Sequence, residues 1–532
     1  MERVELFEFS ENHTIQGMES LTGAARSSSL KTVTIGSCVG LENISFRGCQ
    51  GLKDLFFTGL FASLEKLDLS NTAIKILDLR KLDAAHLKRL ILLGCKKLRA
   101  ILWPLKEQTP QIVEVLHINT IKSASSGQSK WEEEKASAST RSSSAAVTKS
   151  GNGRSASFDS NWSITVRDQT ILQSFVPVGD YLNQKYVHIE MDSYPSGDVA
   201  VGSSEGAQRF TCLRQSGNCL YGNDDIFQAH LQAAANEGVI GMWSCPPIPA
   251  PKAEDCYLHI EDEAEMKSEQ QQSSNVETST NAALTPAFIC NIAKMLHMHN
   301  SLSIAGFPFP PGSNWNRLEW CQVESCPKLR FVFPPPQECG GKDIFYQLGR
   351  FWASQLPEVH LIWSWIPQSQ PSKDSFHWLK LLHLDRCPRL VYVLPFFLLM
   401  VTLPNLETLE IMCCADLTEV FPLSIKCQDK HSVIEFPRLR IIHLYELPMM
   451  QRICGHTLFA PRLETIKIRG CWNLRHMPIR GGNIKPKVDC EKEWWDSLEW
   501  DGLEKNHHPS LYQMYSSPYY KNFQLPRSTI LR

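Results

Sequence analysis

The sequence predicts an α/β solenoid: a horseshoe of stacked coils with short parallel strands on its concave face, irregular loops and disordered insertions. Three observations carry that expectation. In LETIKIRGCWNLRHMP the apolar residues Leu463, Ile466, Ile468, Cys471, Leu474 and Met477 stand in steps of three and two. A helix wants steps of three and four and a strand wants steps of two, so neither alone fits. The same spacing returns from Leu41, Leu87, Leu318, Leu379 and Leu406, with looser copies from Leu64 and Leu439. Cysteine fills the ninth slot at Cys38, Cys49, Cys95, Cys326, Cys387, Cys414 and Cys471, which gives seven of the 18 cysteines a positional reason other than a disulfide or a metal.

The shared form, L-x-x-L-x-L-x-x-C-x-x-L-x-x-[IVLM], is a leucine-rich repeat. Its x-L-x-L-x core is a short strand with alternate side chains turned inward. The ninth slot lies at the inner bend, where Cys serves as a small buried hydrophobe with a weak S–H donor. The following Leu and Ile, Val or Met fill the core from the convex side. One repeat cannot bury its own apolar face, so coils must stack.

Taken in order, residues 1–121 hold N-terminal repeats, with Leu64 to Leu87 spaced by 23. Leu30 and Leu41 are only 11 apart, so one of those matches is degenerate or the chain makes an extra turn there. Residues 122–163, rich in Ser, Ala and mixed charge, read as a disordered insertion. Residues 164–300 read as irregular repeats with long loops. Strand cores are expected in KYVHIEMDSYP, in DCYLHIEDEAE and around Leu302 and Ile304, and DDIFQAHLQAAANEGV reads as a helix, with EDEAEMKSEQQQSSNVETST as a polar mobile loop. Residues 301–480 hold the C-terminal repeats, including a strand at Leu356 and a loop insertion around SIKCQDKHS. The repeat is expected to stop after Pro478. Residues 481–532 then form a Trp-rich cap and tail, with Trp494, Trp495, Trp500 and Leu503 over the last coil.

Composition narrows the function. The 532 residues are 43% apolar and 21% charged with a net charge of −2, which is globular and lacks the basic excess of nucleic-acid readers. The opening MERVELFEFSENH has no apolar signal core, and LVYVLPFFLLMVTLP is interrupted by Pro395 and too short to span a bilayer. The expectation is an intracellular chain with reduced thiols. Catalytic and metal signatures are weak. Gly202-Ser203-Ser204-Glu205-Gly206 matches a nucleophile elbow but sits in a Ser/Gly-rich stretch and reads as a surface turn. Cys212, Cys219, Cys245 and Cys256 lack paired C-x-x-C spacing. His297 and His299 alternate as on a strand and read as a solvated face. His507-His508 is expected exposed. Gly340-Gly341-Lys342 lacks the Ser/Thr and the leading strand of a P-loop. No catalytic residue, cofactor or metal is expected.

What remains is the polar face between the inward leucines. Its candidate partner-binding residues are Lys88, Glu319, Trp320, Gln322, Lys380, His383, Asp385, Glu407, Glu410, Arg440, His443, Tyr445, Glu464, Lys467 and Arg469. Neighbours on the same face include Glu65, Lys66, Asp68, Arg89, Glu324, Thr408 and Thr465. Mixed sign with aromatic insertions suits protein recognition, and a solenoid offers an extended surface for it.

FPRLRIIHLYELPMMQRICGHTLFAPRLETIKIRGCWNLRHMP followed by PKVDCEKEWWDSLEWDGLEKNHHPSL resembles the C-terminal part of plant nucleotide-binding leucine-rich-repeat disease resistance proteins, particularly those of grasses. The C-x-x-L-x-x-[IVL] bends, the F-P-R-L-R and A-P-R-L-E strand entries and the acidic Trp-rich tail carry it, over about 316–510 and more loosely over 30–120. The resemblance implies a cytoplasmic protein of plant immunity whose repeats sense effectors and restrain a nucleotide switch. The coiled-coil and nucleotide-binding domains of that family have no counterpart here, so no switch residue is carried over. The expected function is non-catalytic protein recognition in plant defence. The expected partner is a pathogen effector, a guarded host protein or a nucleotide-binding receptor domain in trans, with no nucleic acid and no membrane span. The alternative is the substrate-recognition subunit of a ubiquitin ligase, which would want an N-terminal helical adaptor-binding module longer than the first thirty residues.

Overall fold

The computed structural model describes residues 6–9, 20–22, 30–104, 113–121, 161–194, 251–263, 285–302, 304–333, 344–363, 375–393, 403–422, 433–454, 457–477, 479–502 and 507–516. Contacts divide the chain into two units, Met1–Ile189 with Ala250–Glu261, and Glu190–Pro249 with Asp262–Arg532. Each contains a parallel ladder of short strands. In the first unit the ladder runs Ser20–Thr22, Asn43–Ser45, Lys66–Asp68, Arg89–Leu93, Val115–Asn119, Trp162–Val166 and on to Cys256. In the second it runs Ala293–His299, Trp320–Glu324, Arg350–Ser354, Leu381–Asp385, Thr408–Met412, Ile441–Tyr445, Thr465–Arg469, Lys487–Cys490 and Gln513–Tyr515. This is a leucine-rich-repeat α/β solenoid fold, mostly parallel strand with few helices. Among the described residues no helix is long and apolar enough to cross a membrane.

Register explains the ladder's stability. Leu382 faces Leu409, Leu409 faces Ile442, and Ile442 faces Ile466, each fully buried. A one-residue slip would turn every aliphatic side chain to the opposite face, so the register is strongly specified. Shorter parallel strands close the back of the coils, among them Phe331–Phe333 with Leu361–Trp363, and Glu419–Phe421 with Arg452–Cys454. Behind the strands of the second unit Phe333 packs on Phe345, Phe351, Trp363 and Phe376 at centroid separations of 4.7, 4.9, 5.4 and 5.2 Å.

The bend between slots six and nine is built the same way in coil after coil. The eighth slot is left-handed at Gly48, Asn71, Gly94, Asn300, Ser325, Gln355, Arg386, Cys413, Glu446 and Gly470. At non-glycine residues that conformation costs about 1–2 kcal/mol. The ninth-slot thiols repay part of it locally. Cys326, Cys387, Cys414 and Cys471 each donate S–H to the carbonyl two residues earlier, at 3.2, 3.5, 3.3 and 3.3 Å. All seven predicted thiols are buried, and Leu447 holds the same slot between Cys414 and Cys471. Gly470 is required by space as well as by φ: a Cβ there would come within 2.7 Å of the Glu446 carboxylate.

Several expectations are corrected. Leu30 does not open a coil: Thr32–Ile35 pairs with Asp54–Phe57 in a separate ladder, and Leu41 is the coil start. LPEVHLIWSW does hold a strand, Leu361–Trp363, but on the back of the coil; the ladder strand lies earlier, at Arg350–Ser354, because Leu348, Phe351 and Ala353 take the inward slots and Leu356 takes the ninth. The strand near Leu302 is instead Ala293–His299, preceded by the helix Ala287–Ile292. The insertion ends sooner than expected. Trp162 is buried in a strand, and its indole N–H donates to the Val113 carbonyl at 2.9 Å. The ladder also continues past Pro478 through Lys487–Cys490 and Gln513–Tyr515. The expected helix over DDIFQAHL, the G-x-S-x-G stretch, Cys212, Cys219, Cys245, Gly340 to Lys342, the SIKCQDKHS insertion and Leu503 lie outside the described residues.

The C-terminal aromatics pack against the last strands and their coils. Trp494, in the helix Lys492–Asp496, is fully buried and donates to the Leu474 carbonyl at 3.1 Å. Trp495 meets Trp500 edge-on at 5.0 Å. His507, expected exposed, is fully buried: its Nε2 accepts the Met477 amide at 3.0 Å, and burial pushes its pKa down.

Two outcomes follow from this packing. Trp494→Ala removes a fully buried indole and orphans a carbonyl, so chemical denaturation should show a loss of about 3–5 kcal/mol, against about 0.5 kcal/mol or less for the exposed Trp378→Ala. Burial, reinforced by the charge of Glu491, raises the Glu446 carboxyl from 4.5 to about 7. A raised carboxyl contributes stability below its unfolded pKa and loses it as pH rises through the folded value. Glu446→Gln should therefore gain stability relative to the parent chain as denaturation is moved from about pH 5 to about pH 8.

Candidate protein-binding face

The ladder of the second unit brings residues of one strand position into columns. Neighbouring parallel strands lie about 4.8 Å apart, so side chains of one column touch. The middle column reads His297, Gln322, Trp352, His383, Glu410, His443, Lys467 and Asp489. The next column toward the bend reads His299, Glu324, Ser354, Asp385, Met412, Tyr445 and Arg469. Immediately before the strands stand Glu319, Lys380, Glu407, Arg440 and Glu464, with Gly349 at the Arg350 strand.

These columns differ in character. Residues at the strand entries are accessible: Lys380, Arg440 and Glu464 are exposed, and Glu319 and Glu407 half-buried. They form cross-coil ion pairs, Lys294 with Glu319 at 3.1 Å and Arg440 with Glu464 through two contacts at 2.8 and 3.1 Å. Lys88 lies on the first unit, exposed, and pairs there with Glu65 at 2.6 Å. Exposed pairs of this kind contribute little to stability. They define the charge pattern of the face more than they hold it together.

The middle column is buried at Gln322, Trp352, His383 and His443 and half-buried at Glu410, Lys467 and Asp489. His383 is fully buried and lies flat on Trp352, with centroids 3.3 Å apart and planes 9° apart. Its Nδ1 meets Glu410 Oε2 at 2.7 Å, and His443 Nδ1 meets the other oxygen of Glu410 at 3.1 Å. One carboxylate thus bridges imidazoles from the strands on either side. Burial alone would raise the Glu410 pKa, but the hydrogen bonds and charges of His383 and His443 outweigh it and hold the carboxyl down at about 2.

Other predicted residues settle into smaller groups. Trp320 is buried, with the Arg350 guanidinium 5.0 Å over its ring and its indole N–H donating to Gln322 at 3.3 Å. Gln322 in turn bonds Glu324. Asp385 is buried and held by Arg386 at 2.5 Å and by the Ser354 hydroxyl at 3.3 Å. Arg469 is buried against Asp489 at 2.5 Å. Tyr445 and Lys467 are half-buried. The structure therefore brings fourteen of the fifteen predicted residues onto one ladder; Lys88 lies on the other unit.

Sequence reasoning missed Trp352, Arg350 and Asp489. The first two were hidden by the misplaced coil start; accepting Ala353 as an inward residue would have found them. Cys256, weighed as a metal ligand, is buried in its strand with its thiol pushed up to about 12 by desolvation. His297 and His299 share a face as expected, yet both are buried rather than solvated.

A stacked parallel ladder with leucines inward, cysteines at the bend and a charged outer row defines the leucine-rich-repeat class. Residues 347–478 match the family described as plant disease resistance protein RPS2-like, leucine-rich repeats. Three relatives come from Arabidopsis thaliana. Probable disease resistance protein At4g27220 is 30% identical over 105 residues, 20% of this chain and 11% of the relative. Disease resistance protein At4g27190 is 34% identical over 107 residues, 19% of this chain and 10% of the relative. Disease resistance protein SUMM2 is 31% identical over 137 residues, 25% of this chain and 15% of the relative. Over residues 347–478 the chain is thus similar to the leucine-rich repeats of plant disease resistance proteins, and the matches span only a small part of each relative's length. No solved structure matches.

The bridging carboxylate predicts a pH signature. Because the folded pKa of Glu410 lies below its ordinary 4.5, its contribution is present above about 4.5 and lost as pH falls toward about 2. Thermal melts should show Glu410→Gln less stable than the parent at pH 7, with the difference shrinking steadily as the buffer is acidified through that window.

Proposed function

We propose that this chain is a non-catalytic protein-recognition module of plant defence, working in the cytoplasm through the ladder face of its second unit. The observation that carries the reading is the pairing of a rigid base with an accessible charged row. The Trp352–His383–Glu410–His443 stack is largely buried and tied across strands, while Lys380, Glu407, Arg440 and Glu464 stand beside it with alternating sign. Fixed charges on a rigid sheet select a partner of complementary pattern more than they add raw affinity. The likeness of residues 347–478 to the repeats of plant disease resistance proteins, and the similarity to At4g27220 and SUMM2, support defence as the setting.

The partner is a protein: a pathogen effector, a guarded host protein or a nucleotide-binding receptor domain supplied in trans. A partner that prefers one arrangement of receptor and repeats shifts that equilibrium by the difference in its affinities and by no more. Capture from pathogen-challenged plant tissue tests the reading. The reversals Lys380→Glu and Arg440→Glu, made together, leave the buried stack untouched and should cut partner recovery about tenfold at unchanged melting temperature. Recovery of the same partners in the same yield by the reversed chain would remove the face from consideration.

A further inference from the structure

We propose that Glu190, His297 and His299, all within the second unit, form a divalent transition-metal site, with zinc as the ion the donor set favours. His297 and His299 stand two apart on the Ala293–His299 strand and so share one face. Glu190 reaches the same place from the Val187–Tyr194 strand. Its Oε1 lies 2.6 Å from His299 Nε2, and one donor atom from each of the three residues lies within 4.8 Å of the others. A tetrahedral zinc holds nitrogen and oxygen donors about 3.3 Å apart, given metal–ligand bonds of about 2.0–2.1 Å. Small side-chain rotations close that gap.

A charge-assisted hydrogen bond joins Glu190 and His299. The rings of His297 and His299 are stacked with centroids 4.3 Å apart and planes 25° apart, and both are buried. Neutral imidazole is the ligating form. Two histidines and one carboxylate, with a fourth position left to water, are a recurrent zinc donor set, and imidazole suits zinc better than the hard cations.

The outer contacts are consistent with that role. The Asn300 amide lies 3.2 Å from His299 Nδ1. Nitrogen and oxygen of an amide exchange by a flip, so its oxygen can accept from Nδ1–H and free Nε2 for the ion. Glu324 stands opposite His299 in the ladder and adds negative charge beside the site.

The test uses the full chain, stripped with a chelator and titrated with zinc alone against a chromophoric competitor. One equivalent should bind, and His297→Ala with His299→Ala should weaken it by about 100-fold or more. Glu190→Gln, which keeps the shape of the side chain, should weaken it while circular dichroism stays that of the parent. Cobalt in place of zinc should give visible bands without the thiolate charge-transfer band, because the chain's many cysteines are the competing ligands. Absence of stoichiometric zinc binding, equal binding by the double variant, or a thiolate band that survives in it would overturn the assignment.

Discussion

No coil of this chain can cover its own apolar edge, and the rest of the structure depends on that constraint. Each strand offers only two inward side chains, and these are dry only when the strands before and after it stand in register. The pairings of Leu409 with Leu382 on one side and Ile442 on the other are therefore both cohesion and alignment. Once the aliphatic columns are set, the opposite columns are set as well, since alternate residues must point the other way. The arrangement of polar side chains on this ladder is inherited from core packing.

That inheritance explains why the polar face divides into a buried part and an accessible part. Side chains in the middle of the strands are flanked by close neighbours and lose water to one another. They must then satisfy themselves laterally, which Glu410 does with two histidines and Asp385 does with an arginine and a serine. Side chains at the strand entries stay wet. Stiffness comes from the first group and accessible charge from the second, and the proposed recognition role draws on both.

Much of this was legible in the residues. The repeat, the inward leucines and the thiol slot followed from spacing alone, because that spacing is what a stacked coil requires. The coil starting at Leu348 was not, since Phe351 and Ala353 replace the leucines that mark other coils. The left-handed eighth slot also escaped notice. Glycine betrays it at Gly48, Gly94 and Gly470, but Ser325, Gln355, Arg386 and Glu446 adopt it under pressure from the stack, and no local propensity announces that. Of the candidate face, the identity of the residues could be read and their burial could not. Burial depends on what the adjoining strand contributes, and nothing local to one strand records its neighbour. For the same reason Glu190 could not be joined to His297 and His299, which stand more than a hundred residues away.

The uniform bend has a consequence for how such chains diverge. From the opening leucine to the left-handed residue the path is eight residues long in the coils from Leu318, Leu348, Leu379, Leu406, Leu439 and Leu463, whereas successive openings lie 30, 31, 27, 33 and 24 residues apart. All of the length variation falls after the bend. Insertions and deletions there can accumulate between lineages without displacing a single rung, leaving the outer columns free to change by substitution alone.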